Sequence, residues 1–432
     1  MKKKPQFLIA APSSGSGKTT ITQGILRYLK NKGLQVQPFK CGPDYLDTKH
    51  HSWAAGNVSI NLDTFMSSQS HVKSIYGKYS IEADVSVVEG VMGLFDGAKK
   101  MEGSSAQIAE LLDIPIILVV NAKATAYSVA PLLFGFKNFY PGIKIAGVIF
   151  NFVGSESHYQ FLKDACEDVG VTPLGYVPKN EKLHLPSRYL GLQISDSSQY
   201  NSTIEEIAKH ISKTVDIEKL LELITIPFHE PKIDETIERG NLKISVAKDE
   251  AFNFTYHENL AALEKLGEVT FFSPLRDQHL PATDLLYFAG GYPELYLDEL
   301  SSNESMKKAV KEFCLKGGRV LAECGGMMYL GDSIIDSDSN EFPMVGYFDQ
   351  KTSMENMKLK LGYRKIHVNE DVFLGHEFHY SHIINPSMKF SVGEIYSARD
   401  QKSDTFLFRK NNTIASYIHF YWGEKNIMDL LF

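Results

Sequence analysis

Pro12-Ser13-Ser14-Gly15-Ser16-Gly17-Lys18-Thr19-Thr20 follows the apolar run Phe7–Ala11 and opens a helical pattern over Thr19–Lys32. A glycine-rich turn between a strand and a helix turns successive backbone N–H groups inward, and the helix start adds positive potential. Ser14, Gly15, Ser16, Gly17, Lys18, Thr19 and Thr20 are therefore expected to hold the phosphates of ATP. In this pattern Lys18 neutralises the β/γ charge and the Thr19 hydroxyl reaches Mg²⁺. Pro12 stands where the first glycine usually does. Ser13 stands five residues before Lys18, where dimeric partitioning ATPases carry a second lysine, which turns the reading away from them.

Outward from this loop, short apolar runs alternate with amphipathic segments. Gln6–Ala11, Gln35–Phe39, Val85–Glu89, Ile114–Asn121 and Ile145–Phe150 read as buried strands, and Ser104–Leu112 as a helix. The rhythm predicts an α/β domain over 1–191, a parallel sheet flanked by helices. Its functional residues belong at the C-terminal ends of the strands. Phe39-Lys40-Cys41-Gly42-Pro43-Asp44-Tyr45-Leu46-Asp47 is such an end, with Lys40, Asp44, Tyr45 and Asp47 as substrate-side candidates and Asp47 as a metal candidate. An alternative is Asp44 as a helix cap and Asp47 as surface. Val87-Val88-Glu89 ends an apolar strand in an acid, which fits a Mg²⁺-reaching carboxylate. Asp96, in the glycine-rich loop that follows, is a substrate-side candidate or a turn former. Asn61-Leu62-Asp63, Lys123 and Tyr127 are weaker signals of the same kind.

The segment 192–240 is polar, with one helical stretch near Ile204–Leu223 and then Pro227 and Pro231, and reads as a connection. A second strand–helix series over 241–432 begins at Leu242–Ala247 and continues through Val269–Phe272, Leu285–Ala289 and Arg319–Ala322. Gly317-Gly318-Arg319-Val320-Leu321-Ala322-Glu323-Cys324-Gly325-Gly326-Met327-Met328 reads as strand, sharp turn and helix. Such an elbow exposes a nucleophile and aims the next N–H, that of Gly325, at an oxyanion. A helix start is also expected to lower the Cys324 thiol pKa. Gly290-Gly291-Tyr292-Pro293-Glu294 offers a second oxyanion N–H at Gly291, and Glu294 as a group to hold glutamine. His419 ends the apolar run Thr413–Ile418 and supplies a base. A triad acid two residues later is missing, because that position is Tyr421, so the residues predict a Cys–His dyad. His376-Glu377-Phe378-His379, with His382 beyond, lacks the i, i+4 spacing of a helical zinc site and alternates like a strand. A structural or substrate-facing strand is the preferred reading.

A net charge of -7 with no block of like charge argues against nucleic acid or an anionic membrane as the main partner. The apolar run after Lys2–Lys4 is too short for a secretory signal, and no stretch approaches a membrane span. A cytoplasmic protein is expected, and a homodimer is compatible with the sequence. Cys41, Cys166, Cys314 and Cys324 form no C-x-x-C pair, which speaks against structural zinc or a disulfide framework.

The whole chain resembles the cobyrinic acid a,c-diamide synthase family, a dethiobiotin synthetase-like P-loop domain fused to a cobyric-type class I glutamine amidotransferase domain. The resemblance rests on Phe39–Asp47, Asn61–Asp63, Val88–Gly97, Ala247–Phe254, Gly290–Glu294, Ala322–Leu330, Gly375–Ser381 and Ser416–His419. It departs at Pro12 and at Leu185–Leu192, where the family usually has Glu-Arg-His. The resemblance implies a flavodoxin-like α/β fold for the second domain. It further implies ATP, Mg²⁺ and L-glutamine as reactants or cofactors, and cobyrinate or a related tetrapyrrole as substrate. Cys324 and His419 would release ammonia, and the first domain would activate the a and c acetate carboxylates as acyl phosphates. It also suggests that Asp44, Asp47 and Glu89 bear on substrate placement.

Overall fold

The computed structural model describes residues 3–179, 197–230, 239–426 and 428–431. Two compact units divide the chain, Met1–Asp234 and Glu235–Phe432. The Leu185–Leu192 departure lies outside the described residues.

The first unit is built on strands β1 (Lys3–Ala10), β2 (Val36–Cys41), β3 (Ile60–Leu62), β4 (Val85–Glu89), β5 (Ile116–Asn121), β6 (Ile145–Val153), β7 (Thr172–Pro178) and β8 (Thr225–Pro227). Their order is β3-β2-β4-β1-β5-β6-β7, all parallel, with β8 antiparallel on β1. The strand side chains alternate between two cores. Leu8 and Ala10 of β1 face helices Gln69–Ser80, Ser105–Leu112 and Glu156–Val169. Phe7, Ile9 and Ala11 face helix Lys18–Asn31 and its neighbours. Burial on both faces explains why these strands read as unbroken apolar runs. The chain leaves β1 toward β2 on one side and reaches β5 on the other, so the loop after β1 lies at the switch point where open α/β sheets bind ligands.

Strands β3 and β7 escaped the sequence reading. The first has three residues, and the second carries Pro173 and Gly175. The segment 192–240 also differs from a plain connection. It contains two helices, Ser197–Ile211 and Ile217–Ile224, whose Ile204, Ile207, Ile211, Leu220 and Ile224 lie in the core beside helix Lys18–Asn31. Their apolar spacing gives one face to bury, and the open side of the first sheet is where it goes.

The second unit has a central sheet that begins with β9 (Leu242–Ala247), β10 (Gly267–Phe272), β11 (Leu285–Phe288) and β12 (Arg319–Glu323). Its order is β10-β9-β11-β12, then Thr413–Ser416 and the antiparallel edge Leu407–Lys410. Leu286 and Phe288 face helices Leu297–Ser302 and Glu304–Leu315, while Leu285 and Tyr287 face helix His257–Leu266 and a small antiparallel sheet. That small sheet includes Asp371–His379 and Ile418–Phe420, which place His376 opposite His419.

Candidate functional site

The first unit gathers its polar side chains where β1, β2 and β4 end. Gly17 has φ 88°, and a Cβ there would meet Asn151 Nδ2 at 2.0 Å, so only glycine lets β6 approach the loop. Asn151 Nδ2 donates to Ser16 O (3.0 Å), and Ser16 Oγ donates to Ser13 O (2.9 Å). Ser14 and Gly15 form the exposed crest of the loop, and Thr20 is half-buried on the helix behind it. Lys18 Nζ donates to Met92 O (2.5 Å), and Thr19 Oγ1 donates to Glu89 Oε1 (2.8 Å).

Beside them lies a buried charge cluster. Lys40 Nζ reaches Asp47 Oδ2 (2.6 Å), Glu89 Oε1 (2.8 Å) and Gly90 O (3.3 Å). His51 Nε2 lies 2.6 Å from Glu89 Oε2. All four side chains are at most 2% exposed. Burial alone would raise the Glu89 pKa, but Lys40 and His51 outweigh it and hold the carboxyl well below its ordinary range. Burial likewise opposes the Lys40 charge, yet Asp47, Glu89 and Asp44 hold its pKa above the ordinary lysine range. His51 was missed, though the signal was available: it follows Asp47 by four residues on one helix and so shares its face.

Several sequence candidates have local structural work. Asp44 Oδ1 accepts from the Leu46 and Asp47 amides (2.9 and 2.8 Å), the capping alternative, while Tyr45 is half-buried beside it. Asn61 Nδ2 donates to Gly42 O and Asp44 O (2.9 and 3.0 Å) and so props the substrate-side loop. Asp63 Oδ1 accepts from the Phe65 and Met66 amides, both at 2.8 Å. Asp96 is exposed, and its Oδ2 accepts from Gly93 N (2.9 Å), the contact of the turn-forming alternative. Lys123 and Tyr127 are exposed, and Tyr127 donates to Asp168 Oδ2 at 2.5 Å. Neither joins the charge cluster.

In the second unit Cys324 sits at φ 45° between β12 and helix Gly325–Leu330. Positive φ at a non-glycine residue costs energy and persists where surrounding contacts enforce it. Here the Cys324 amide donates to Ser416 O (2.7 Å). His419 lies three residues beyond that anchor, on Ile418–Phe420. Its ring presses on Gly290, where a Cβ would come within 2.1 Å of His419 Cε1. A Cβ on Gly325 would fall 3.2 Å from Gly291 N, so the two proposed N–H donors belong to touching backbones.

The expected lowering of the Cys324 thiol pKa is not seen. Burial, then Glu294, push it well above the ordinary thiol range, against the opposing Gly325 N–H. The six-residue helix is too short to win over full burial and a neighbouring acid. Burial also pushes the Glu294 carboxyl up to about 7, and its Oε2 is enclosed without a partner among the described residues.

Tyr421 packs edge-on against Tyr256 (5.6 Å between ring centroids). An acid beside His419 is instead Glu323, whose Oε2 lies 3.7 Å from Nδ1. It too was missed, although, like Glu89, it is an acid ending an apolar strand. Glu377 accepts from Arg364 Nε (2.6 Å), His379 Nε2 (2.8 Å) and Thr405 Oγ1, and His379 stacks on Tyr417 (3.6 Å). The histidine-rich strand is thus tied into a buried network. Among the described residues no group of three His, Cys, Asp or Glu side chains is arranged to hold a metal. Cys41, Cys166 and Cys314 are free and buried, with burial raising each thiol to about 12.

A glycine-rich strand-to-helix loop on one parallel sheet and a strained strand-to-helix turn at Cys324 on another are features of a nucleotide-binding unit joined to a glutamine amidotransferase unit. Comparison with known proteins agrees. Residues 7–192 match the CobQ/CobB/MinD/ParA nucleotide binding domain, and residues 243–427 match the CobB/CobQ-like glutamine amidotransferase domain. The cobyrinate a,c-diamide synthase of Caldanaerobacter subterraneus subsp. tengcongensis is 41% identical, across 96% of this chain and 94% of that protein. Those of Streptococcus sanguinis (39%; 99% and 98%) and Saccharolobus solfataricus (36%; 97% and 98%) are similar over comparable spans. The chain belongs to the cobyrinate a,c-diamide synthase family. It is an ATP-dependent amidating ligase. No described helix is long and apolar enough to cross a membrane.

Proposed function

We propose that this chain amidates the a and c acetate carboxylates of cobyrinate, using ATP and glutamine, to give cobyrinate a,c-diamide for cobalamin biosynthesis. The observation that carries the reading is the pairing of two differently built sites in one chain, similar throughout to relatives bearing that name.

The chemistry needs both. A carboxylate reacts poorly with ammonia because its leaving group is oxide. Transfer of the γ-phosphoryl group to the carboxylate oxygen gives an acyl phosphate, and phosphate then leaves as ammonia attacks. In this reading Ser14–Thr20 hold the phosphates, and Lys18 leaves Met92 O to meet the transferring charge. Thr19 Oγ1 and Glu89 Oε1 lie 2.8 Å apart as hard oxygen donors, and Glu89 is kept anionic, so they fit Mg²⁺. Bound there, Mg²⁺ would neutralise phosphate charge. Asp47 already shares its Oδ2 with Lys40 and stands second to these two as a ligand. Lys40, Asp44, Tyr45 and Asp47 line the side where the carboxylate would enter, with Asp96 at its rim.

At the other site the resting nucleophile is a thiol, because its pKa is raised. His419 takes the thiol proton as Cys324 Sγ bonds to the glutamine carboxamide carbon. The N–H groups of Gly291 and Gly325 receive the developing oxyanion. The carbon–nitrogen bond breaks, ammonia leaves with the proton from His419, and water hydrolyses the thioester. Glu294 faces the α-ammonium of glutamine. The supply of ATP and glutamine fits a cytoplasmic enzyme.

The test is incubation with ATP, Mg²⁺, glutamine and, separately, cobyrinate, hydrogenobyrinate and nickel sirohydrochlorin, with product masses measured. Two amidations of cobyrinate are expected. Turnover of another ring alone would reassign the substrate, and no product from any of them would overturn the reading.

A further inference from the structure

A buried acid stands beside His419 and comes from an unexpected place in the chain. Glu323 is 1% exposed and ends β12, directly before the nucleophile. Its Oε1 accepts from the Phe420 amide (3.1 Å), the residue after His419. Its Oε2 accepts from Tyr287 Oη (2.9 Å) and lies 3.7 Å from His419 Nδ1. The carboxylate is thereby fixed by β11 on one side and by the backbone of the histidine's own strand on the other. Gly290 closes the imidazole ring from a further side. The groups facing Glu323 are Tyr287 from β11, His419 and the Phe420 amide from Ile418–Phe420, and Cys324 beside it in sequence. His376 stands opposite His419 on the neighbouring strand.

We propose that Glu323 is the positioning residue of the glutaminase site, turning Nδ1 of His419 toward itself and supporting the imidazolium that forms when Cys324 gives up its proton. This rests on the glutaminase reading above. In the step, the sulfur proton moves to the other ring nitrogen and then to departing ammonia. Glu323 keeps its own protonation state throughout and only balances the transient charge. The geometry replaces an acid two residues after the histidine with one immediately before the cysteine. Glu323 comes within 3.7 Å of Nδ1 because β12 and the strand Thr413–Ser416 are neighbours with Glu323 in register with Ser416.

The experiment compares wild type, Glu323→Gln and Glu323→Asp in steady-state glutamine hydrolysis from pH 5 to 9, with ammonia-driven amidation as the control for fold. Glu323→Gln should lower kcat for glutamine about 100-fold, leave KM for glutamine within about threefold and keep ammonia-driven turnover. The acid limb of kcat/KM should also move in Glu323→Gln, because the carboxylate beside Nδ1 is gone. Glu323→Asp should recover part of kcat. If Glu323→Gln does not fold, Glu323→Asp decides: its kcat should fall with KM kept. Unchanged kcat and acid limb overturn the proposal, as does equal loss of glutamine- and ammonia-driven turnover in both variants. A wild-type protein that hydrolyses no glutamine would instead remove the glutaminase reading itself.

Discussion

Glu89 and Glu323 occupy equivalent places in two unrelated sheets. Each ends a parallel apolar strand and each is at most 1% exposed. Yet Glu89 is held far below the ordinary carboxyl range, while burial raises Glu323 in spite of nearby His419 and the hydrogen bonds it accepts from Phe420 and Tyr287. The difference lies in the neighbours. Glu89 has a lysine ammonium at 2.8 Å and an imidazole at 2.6 Å, whereas Glu323 has a phenol, an amide and an imidazole at 3.7 Å. The first site is a fixed arrangement of paired charges, suited to handling phosphate and a metal. The second surrounds its thiol and its acid with neutral groups and little solvent, suited to moving a proton.

The sharpest way to break this contrast is to remove each site's central group. Cys324→Ala should lower glutamine-driven amidation by at least about 10³-fold and leave ammonia-driven amidation intact, whereas Lys18→Ala should abolish both. Loss of both in Cys324→Ala, with the fold intact, would show the sites to be one machine. Next in size is Lys40→Met, which strands Asp47 and Glu89 without their shared cation. It should destabilise the first unit by about 3–5 kcal/mol, read as faster hydrogen exchange across β2 and β4 in urea, with the second unit unaffected.

A pH test follows for the second site. Glu294 has a pKa raised to about 7, so the fold favours its neutral form. The stability tied to that form is complete below the ordinary carboxyl pKa and is lost as pH rises through about 7. Glu294→Gln should therefore resist urea better than wild type at pH 8 and equal it near pH 4. Its KM for glutamine at pH 8 should rise about tenfold and lose the wild type's decrease between pH 6 and 8. A KM that stays at the wild-type value would remove Glu294 from the glutamine pocket. The smallest effect is expected at Asn61→Ala, which frees the Gly42 and Asp44 carbonyls. A loss of about 1 kcal/mol and faster proteolysis of the loop 42–45 would be the signature.

The motifs with fixed local geometry were legible from residue order alone. The loop Ser14–Thr20, the strand-end Glu89 and the elbow at Cys324 each need a strand, a turn and a helix start within about a dozen residues, and the residue types state all three. What residue order left open or passed over has a physical cause. Asp44 and Asp96 could be read as site carboxylates or as turn formers, because a short acid accepts from nearby amides in either role. His51 and Glu323 were passed over because each acts on a group supplied by another strand. The Cys324 thiol was expected to be acidic from its helix start, and burial, with the acids Glu294, Glu377 and Glu323 around it, reverses that.

The sequence by itself thus determined two α/β units, the glycine-rich strand-to-helix loop, the strand-to-helix turn at Cys324 and the strand that carries His419, because local backbone geometry and periodicity carry that information. Tertiary structure decided which charges meet: that Lys40 lies between Asp47 and Glu89, that the helices within 192–240 cover the first sheet, and that Glu323 rather than residue 421 approaches His419. Those pairings join residues from different elements of the fold, and Coulomb and desolvation energies depend on distance and burial, which residue order does not fix.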